Sequence, residues 1–446
     1  MAGLKFDLRK YNLKRIDTRE LGDGKIEIRP ELEKLVTFQL NVKVPRYGWF
    51  YYKQGFAYRL VEYYLDEFKL DSENTVLDPF CGVGTSSLVA KNRAMNSYGL
   101  DILPVNVLWS RVKLRDYNYS KKTLVRLLEE IIEIATKLEE PQQTLPDVYI
   151  VKNGLDKEVQ DILLRLKETI TTIDDKVLRD FFLAALASIV DKVSKTRKDG
   201  GFLRIVKDKK PPDVHAEFKD KSLAMISDLS IENDTRRSGI PRISEQDPDI
   251  QSNHIIKLGD ARNLKEIASG TITAVITSPP YLNKTDYTRL YSLELYLIFI
   301  KEFIELRNIR YNSFRSHVEA KEWKDVKKVH KYLPETIFER IEEMKKKRLP
   351  NKNDPYMVLG YFEDMALSLL EMKRVLETGG RAAIVLWNAR LSGVEFPVDV
   401  IVANMSEEMG FEEARVHVAR LKGMSAQQVK KYGETPLRES VIVLKK

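Results

Sequence analysis

The chain has 446 residues, of which 43% are hydrophobic and 31% are charged, enough for one large core with insertions or for several domains. It contains no apolar run of about 18 residues, and the first residues lack the apolar core of a signal peptide, so we expect a cytoplasmic protein without a membrane span. A single cysteine, Cys81, excludes an internal disulfide and a zinc site built from several cysteines, and we expect no metal site. The net charge of +8 agrees with a polyanionic partner, but it fits an ordinary charged surface equally well.

Strand-like apolar runs alternate with helical patterns along the chain. Residues 75–78 predict a buried strand that enters a glycine-containing loop, residues 86–93 predict a helix, and residues 97–101 predict the next strand. Together they form one β-α-β unit. The pattern therefore predicts an α/β fold around a mostly parallel sheet.

Two long insertions interrupt the predicted sheet. The first has helical patterns and a polar segment, residues 228–249, that predicts a loop. The second is helical and charged, and the helix after it is predicted to end at a Gly379-Gly380 cap. The predicted parts are an N-terminal arm (residues 1–43), a cofactor-binding part (44–115), a helical insertion that is a candidate for target recognition (116–253), a catalytic part (254–284), a second insertion (285–353) and a C-terminal part of the sheet domain (354–446).

The loop after the first predicted strand reads Asp-Pro-Phe-Cys-Gly-Val-Gly-Thr, from Asp78 to Thr85. Glycines let the backbone approach a ligand closely, and the helix that follows offers free N–H groups to a carboxylate. Asp101 ends the next strand about 20 residues later, where a carboxylate can bind ribose hydroxyls. The loop lacks the third glycine of dinucleotide-binding loops, so it favours a nucleoside cofactor.

This loop resembles the cofactor motif of amino-methylating DNA methyltransferases. The resemblance implies a Rossmann-like methyltransferase fold with a mostly parallel seven-stranded sheet, S-adenosylmethionine as cofactor and double-stranded DNA as substrate. Residues 52–56 resemble the segment beside the methionine end of the cofactor, and Asp260 resembles the acid that meets the adenine amine, although an aspartate after a strand is also an ordinary turn residue. The implied cofactor-binding residues are Lys53, Gly55, Phe56, Asp78, Pro79, Phe80, Gly82, Gly84, Thr85, Asp101, Ile102, Asp260 and Ala261.

A second motif, Ser278-Pro279-Pro280-Tyr281, follows the strand predicted over residues 272–277. Consecutive prolines cannot extend a sheet, and they fix an extended backbone whose carbonyl groups point in set directions. An exocyclic base amine is a poor nucleophile because its lone pair is conjugated with the ring. Acceptors such as Ser278 Oγ and the Pro279 carbonyl would favour a pyramidal nitrogen, and Tyr281 would stack on the base. The motif predicts direct methyl transfer, driven largely by positioning.

Thr277 together with this motif resembles the cytosine-N4 version of the family motif, since adenine-N6 enzymes more often have Asp or Asn in place of Ser278. A target amine inside a duplex is out of reach, so the resemblance implies base flipping. Cytosine-C5 enzymes need a nucleophilic cysteine in the catalytic loop, whereas Cys81 lies in the cofactor loop and is better explained as a small buried side chain. The cofactor loop precedes the catalytic motif, which is the reverse of the order in many enzymes with Ser-Pro-Pro-Tyr.

A basic segment over residues 192–210, with glycines and an aromatic residue, is predicted to contact DNA phosphates, with a solvated loop as the alternative. Arg307, Arg310 and Arg315 in the second insertion are further candidates. Residues 283–289, just past the catalytic motif, predict a loop over the flipped base. The DNA-binding candidates are Lys195, Arg197, Lys198, Arg204, Tyr287 and Arg289.

Other functions stay open at this point. An adenine-N6 DNA methyltransferase would use the same chemistry, and an RNA guanine-N2 methyltransferase usually has Asp in place of Ser278 together with a recognisable RNA-binding domain. A non-catalytic specificity subunit is disfavoured because both motifs are intact, and a fused restriction enzyme lacks an evident nuclease motif. A cognate restriction endonuclease is a possible partner, while the recognition sequence and the oligomeric state do not follow from the sequence.

Overall fold

The computed structural model describes residues 25–236, 253–321, 326–422 and 437–446. Within these ranges an eight-stranded sheet forms the centre of the molecule, and two small two-stranded sheets lie outside it. The strands are β1 (Ile26–Ile28), β2 (Thr75–Asp78), β3 (Asn96–Asp101), β4 (Thr196–Asp199), β5 (Phe202–Ile205), β6 (His254–Leu258), β7 (Ile272–Thr277), β8 (Leu376–Trp387), β9 (Ala389–Leu391), β10 (Val394–Phe396), β11 (Glu413–Lys422) and β12 (Leu437–Lys445).

Helices surround the central sheet and form most of the two insertions. None in the described part of the chain is long and apolar enough to cross a membrane. They are α1 (Tyr58–Glu67), α2 (Thr85–Asn92), α3 (Pro104–Leu114), α4 (Lys121–Lys137), α5 (Tyr149–Gly154), α6 (Lys157–Thr171), α7 (Lys176–Val193), α8 (Val214–Arg236), α9 (Tyr287–Leu290), α10 (Ser292–Ile298), α11 (Phe303–Asn312), α12 (Glu335–Lys345), α13 (Asp354–Val375) and α14 (Val398–Glu408), with short 3₁₀ helices at Pro30–Leu32, Phe38–Asn41 and Val326–Tyr332.

The strand order in the central sheet is β1-β11-β12-β8-β7-β2-β3-β6. Every neighbouring pair is parallel except the two pairs that contain β12, which runs antiparallel to β8 and β11. The order reverses between β2 and β7, so the carboxyl ends of these strands meet at a switch point of the kind where α/β proteins bind ligands. The predicted Rossmann-like fold is confirmed.

Both faces of the sheet are covered, which explains the continuous apolar runs of its central strands. Leu77 and Val275 belong to the apolar cluster that includes α13 and α14. Their neighbours Val76 and Ala274 belong to the cluster that includes α1 and α2 on the opposite face. Successive strand residues point to opposite faces, so one short run supplies both cores.

The sheet has one strand more than the predicted seven. The additional strand is β1, which pairs in parallel with β11 through Ile26↔Val416 and Ile28↔Val418. It lies in the predicted N-terminal arm, for which no strand was predicted. An edge strand of three residues is too short to show a periodic pattern.

The first insertion has its own apolar core. Buried side chains of α4, α6, α7 and α8, such as Leu124, Leu163, Phe181 and Phe218, form a cluster that also includes residues of α3. The Trp109 indole of α3 donates a hydrogen bond to the Ala184 carbonyl of α7 (3.2 Å). The insertion is therefore packed firmly against the sheet domain.

Three local expectations differ from the structure. The segment predicted as a loop from residue 228 continues as helix α8 to Arg236, and residues 237–252 lie outside the described ranges. Gly379 and Gly380 do not cap a helix, because α13 ends at Val375 and both glycines lie in β8, where they exchange backbone hydrogen bonds with Lys446 (2.7 and 2.9 Å). The basic segment, for which a solvated loop was the alternative to a DNA contact, folds into the antiparallel hairpin β4–β5.

Candidate active site

A cavity opens at the carboxyl ends of β2, β3 and β7, and both apolar and polar side chains line it, as is usual for small-molecule sites. We call it the cofactor cavity. Two predicted cofactor residues are absent from its walls: Lys53, which is exposed, and Gly84, which is buried and faces Ser110 of α3. The predicted residues that do line it are Gly55, Phe56, Asp78, Pro79, Phe80, Gly82, Thr85, Asp101, Ile102, Asp260 and Ala261.

The glycine loop makes room for a ligand by its backbone conformation. Gly82 and Gly84 have φ angles of 51° and 74°, a region that side chains disfavour. A Cβ atom on Gly84 would lie 2.9 Å from the Ser110 side chain, and one on Gly82 would lie 3.1 Å from the Tyr52 ring. Only glycine fits at Gly84, so the loop can turn tightly into α2.

Asp101 lies at the end of β3 and lines the cavity. Its Oδ2 accepts a hydrogen bond from the Gly82 N–H (2.9 Å), and its Oδ1 accepts one from the Leu103 N–H (2.9 Å). Burial raises the pKa of this carboxyl to about 6. Each carboxylate oxygen has a second lone pair, so the group can accept further hydrogen bonds from the hydroxyls of a ribose.

Asp78 joins the cofactor loop to the catalytic strand. Its Oδ1 accepts a hydrogen bond from Thr277 Oγ1 (2.6 Å) at the end of β7, and its Oδ2 accepts one from Ser86 Oγ (2.8 Å) in α2. Burial raises the pKa of Asp78 to about 6. Because Asp78 holds both loops, its position fixes the cavity as well as lining it.

The opposite wall comes from residues 312–317, which we call the wall segment. Ser313, Phe314, Ser316 and His317 line the cavity, and the Phe314 ring meets Phe80 edge to face, with 5.6 Å between centroids. No pattern in the sequence indicated this wall, because the segment lies in an insertion and has no recognisable motif.

An ionic cluster beneath the wall segment holds it in place. Asp364 of α13 is fully buried and accepts hydrogen bonds from the Arg315 and Arg262 guanidinium groups (2.6 and 2.9 Å). Arg262 also pairs with Asp260 (2.6 Å) and donates to the Asn312 carbonyl (2.5 Å). The predicted adenine-binding acid, Asp260, is therefore fixed by the same cluster as the wall segment.

The catalytic motif directly follows β7, and its Ser278 and Pro280 line the cofactor cavity, whereas Pro279 and Tyr281 do not. Ser278 Oγ lies 3.4 Å from the Val385 carbonyl and 3.5 Å from the Tyr281 hydroxyl. The Tyr281 hydroxyl donates a hydrogen bond to Glu439 (3.2 Å), which also pairs with Arg420 (2.5 Å). Burial raises the pKa of Tyr281 well above its usual value, so the phenol stays neutral.

An aromatic stack at the cavity was not foreseen. Tyr52 lines the cavity, and its ring is nearly parallel to those of Tyr287 (18°, 6.4 Å) and Tyr291 (10°, 5.5 Å). Tyr287 also lines the cavity, although the sequence predicted it to contact DNA. Asn106 lines the cavity as well, and its only sequence signal was its place in the helix after Asp101.

Several predicted DNA-binding cations have carboxylate partners in this chain. Lys195 pairs with Asp156 (2.6 Å), Lys198 with the buried Glu294, Arg289 with Glu319 (2.6 Å), and Arg204 with Asp199 (3.6 Å). Arg197 is exposed and makes no ion pair with another described residue.

The second-insertion alternatives Arg310 and Arg315 are buried and paired with Asp286 (3.1 Å) and Asp364 (2.6 Å), which corrects the expectation that they face DNA phosphates. Among the described residues, no group of three or more His, Cys, Asp or Glu side chains is placed to hold a metal ion.

Known proteins resemble this chain along nearly its whole length. It is 30% identical to the type II methyltransferase M.BsoBI of Geobacillus stearothermophilus over 451 residues, which cover 93% of this chain and 88% of that protein. It is 29% identical to the type II methyltransferase M.AvaI of Anabaena variabilis, over 93% of this chain and 89% of the relative. A shorter match, at 33% identity over 24% of this chain and 19% of the relative, is to the type II methyltransferase M.MjaII of Methanocaldococcus jannaschii.

No family model matches the chain. A solved structure of geranyl diphosphate methyltransferase in complex with S-adenosylmethionine covers 87% of this chain and 85% of its own at 6% identity, with a TM-score of only 0.29. The relationship therefore rests on the sequence relatives, and the strand order agrees with it. The chain belongs to the family of type II methyltransferases, site-specific DNA methyltransferases that use S-adenosylmethionine as cofactor.

Proposed function

We propose that this enzyme methylates the exocyclic amine of a base flipped out of duplex DNA, and that the base is cytosine, modified at N4. The observation that carries the proposal is the position of Ser278 and Pro280 in the wall of the same cavity as Gly82 and Asp101. A serine hydroxyl, rather than the Asp or Asn that adenine-N6 enzymes more often have, is the group next to the cofactor cavity. This difference supports cytosine over adenine.

The chain's own groups account for the activation of the amine. S-adenosylmethionine, when bound, supplies an electrophilic methyl group. The Ser278 hydroxyl has the Val385 carbonyl and the Tyr281 hydroxyl within reach as acceptors, so its hydrogen can point to them. The lone pairs of Ser278 Oγ can then accept a hydrogen bond from an N–H of the target amine. The Pro279 carbonyl oxygen is proposed to accept a second one. These acceptors make the nitrogen more pyramidal and more nucleophilic.

Tyr281 is held at its hydroxyl end. That hydroxyl donates to Glu439, and the ring meets Trp387 edge to face at 6.1 Å. Lys284 places its ammonium group 3.9 Å from the centroid of the same Trp387 ring. We propose that the anchored Tyr281 ring stacks on the flipped base, in keeping with its place beside Ser278.

The cavity fits the proposed cofactor. Asp101 has acceptor capacity for the ribose hydroxyls, and the Gly82 backbone is proposed to lie next to the methionine end. Asp260 and Ala261 are proposed to meet the adenine, and Gly55 and Phe56 the methionine. The wall segment adds the Phe314 ring, an apolar surface suited to a flat base.

S-adenosylmethionine should bind more weakly as the pH falls below about 6. The pKa of Asp101 in the free protein is raised to about 6, and ribose hydroxyls donate far more strongly to the ionised form than to the protonated one. Below that pH, each unit should therefore weaken binding by up to about tenfold, and above it the affinity should level off. Calorimetry between pH 5 and 8 measures this, with Asp101→Asn as the control that should bind weakly at every pH. A wild-type pH slope in Asp101→Asn would show that another group titrates.

The two insertions have proposed roles as well. Residues 116–253 are proposed to contribute to target recognition, and residues 285–353 to close the cofactor cavity through the wall segment. The boundaries 1–43, 44–115, 254–284 and 354–446 stay predictions. A cytoplasmic location and a cognate restriction endonuclease are proposed on the basis of the family.

The product identifies the base. DNA from cells that express the protein should contain N4-methylcytosine at one short sequence motif, and DNA from cells with an empty vector should not. Mass spectrometry of digested DNA identifies the methylated base, and long-read sequencing locates it. N6-methyladenine alone would overturn the cytosine assignment but not the amine chemistry. Methylated RNA with unmodified DNA would overturn the substrate as well.

A further inference from the structure

The hairpin β4–β5 has one face that points away from the protein. The register pairs Arg197 with Arg204 and Asp199 with Phe202. Residues that pair directly and alternate along each strand lie on one face, and these four side chains are all exposed. Phe202, next to the turn, is 65% exposed, a high value for a phenylalanine. The outer face therefore presents the Phe202 ring and Asp199 at the tip and two arginines behind them, of which Arg204 lies 3.6 Å from Asp199.

The inner face of the hairpin is fixed to the protein. Lys198 pairs with the buried Glu294 of α10, and its ammonium lies 4.0 Å from the centroid of the Tyr291 ring. Leu203 packs against the apolar cluster of the helical insertion, and Thr196 is fully buried. The tip is thus carried by a rigid support rather than by a free loop.

The tip also touches the loop that follows the catalytic motif. A Cβ atom on Gly201 would lie 1.8 Å from the Lys284 carbonyl oxygen, so only glycine allows this approach. The Lys284 N–H donates to the Tyr281 carbonyl (3.2 Å). The exposed Phe202 therefore follows directly after a residue that touches the catalytic loop.

We propose that Phe202 is a wedge that enters the DNA duplex at the target base pair and occupies the space left by the flipped base, while Arg197 and Arg204 contact the flanking phosphates. This inference rests on the proposed function, because it requires a flipped base. Apolar side chains inserted between base steps are a known means of unstacking a duplex. Arginines beside the ring match the negative charge of the DNA backbone. The exposed ring follows directly after Gly201, which approaches the Lys284 carbonyl, so the hairpin carries it beside the catalytic loop.

The test compares two substrates that differ only opposite the target base. One is a duplex that contains the methylated motif mapped by sequencing, and the other has an abasic site opposite the target base, which is then already unpaired. Phe202→Ala should lower kcat/KM on the paired duplex by roughly tenfold to a hundredfold, because opening a base pair costs a few kcal/mol. On the abasic duplex the kcat/KM of the variant should stay within about threefold of the wild-type value, because the target base is already unpaired there.

Two controls separate the wedge from other effects. Phe202→Leu, which keeps an apolar side chain, should retain most of the activity on the paired duplex. Tyr356→Ala, which removes an exposed aromatic ring from α13, should change neither substrate's turnover. Changing Arg197 and Arg204 together to glutamine should lower the slope of log affinity against log salt by about 0.9 for each phosphate that these arginines neutralise.

The outcomes also separate this inference from the proposed function. Equal losses of activity on both substrates, or no loss on the paired duplex, would overturn the wedge while wild-type methylation of cytosine stands. An unchanged salt slope in the double arginine variant would overturn the phosphate contacts. If wild-type protein methylates neither duplex, it is the proposed function that fails.

Discussion

Replacing Asp364 by alanine is expected to lower the free energy of unfolding by about 3–5 kcal/mol, the cost of removing one partner from a buried ionic cluster. Asp364 is fully buried and accepts hydrogen bonds from Arg315 and Arg262, whose side chains are 7% and 1% exposed. Removal of the carboxylate leaves both guanidinium groups close together with less compensating charge. Urea denaturation followed by circular dichroism measures the effect, together with the thermal midpoint.

A surface ion pair provides the matched control. Glu266 pairs with Lys257 (3.0 Å), and the two side chains are 63% and 53% exposed. Glu266→Ala should leave the free energy of unfolding almost unchanged, because solvent screens the pair. A decrease of less than about 1 kcal/mol for Asp364→Ala would contradict the role given to the buried cluster.

The same variant should also weaken S-adenosylmethionine binding at a temperature where it is still folded. The wall segment lines the cavity, and its Arg315 backbone N–H and guanidinium both donate to Asp364. Without this anchor the wall is held less firmly, so binding has to order it first. Calorimetry on the folded variant separates this effect from global unfolding.

The cofactor loop could be predicted from the sequence because its signals are local. Strand β2 was predicted with its observed bounds, Thr75–Asp78, since a buried strand, a glycine loop and a helix follow one another without interruption. The parallel arrangement of the following strand then placed Asp101 next to Gly82. The local sequence pattern and regular sheet geometry were therefore sufficient to predict this half of the site.

The other half depends on contacts that no local pattern shows. Asp364 bonds Arg262 and Arg315, which are distant from it in sequence, and these bonds anchor the wall segment beside the cavity. Arg315 looked like a surface cation in the sequence, and so did Lys198, whose partner Glu294 lies in another element. Charge on a side chain says little about exposure when its partner is distant in sequence.

The hairpin β4–β5 was only partly predictable from the sequence. Gly200-Gly201 is a typical two-residue hairpin turn. The strand before it was not predicted, because its residues Arg197, Lys198 and Asp199 are charged and do not form a typical strand pattern. Its pairing and the close approach of Gly201 to Lys284 appear only in three dimensions. The sequence indicated that the segment was basic, but not which side chains face outward.

Replacing Ser278 by alanine is expected to lower turnover by roughly tenfold to a hundredfold and to leave S-adenosylmethionine affinity unchanged. The hydroxyl oxygen is proposed to accept a hydrogen bond from the amine as positive charge develops on the nitrogen, and a hydrogen bond to a charged group contributes about 1.5–3 kcal/mol. Its contribution grows as the nitrogen becomes pyramidal, so kcat should fall more than binding. Single-turnover methylation of the mapped duplex measures the rate of the chemical step, and calorimetry measures cofactor affinity.

Ser188→Ala is the matched control for this prediction, because Ser188 lies in α7, and its hydroxyl donates to the Ala185 carbonyl (2.7 Å). It should keep both turnover and stability. Ser278→Ala should also keep its thermal midpoint, since the contacts of this hydroxyl at 3.4 and 3.5 Å are long and contribute little to folding. If the variant methylates DNA at the wild-type rate, Ser278 does not activate the amine. If instead it loses cofactor affinity in proportion to turnover, Ser278 shapes the cofactor cavity rather than the chemical step.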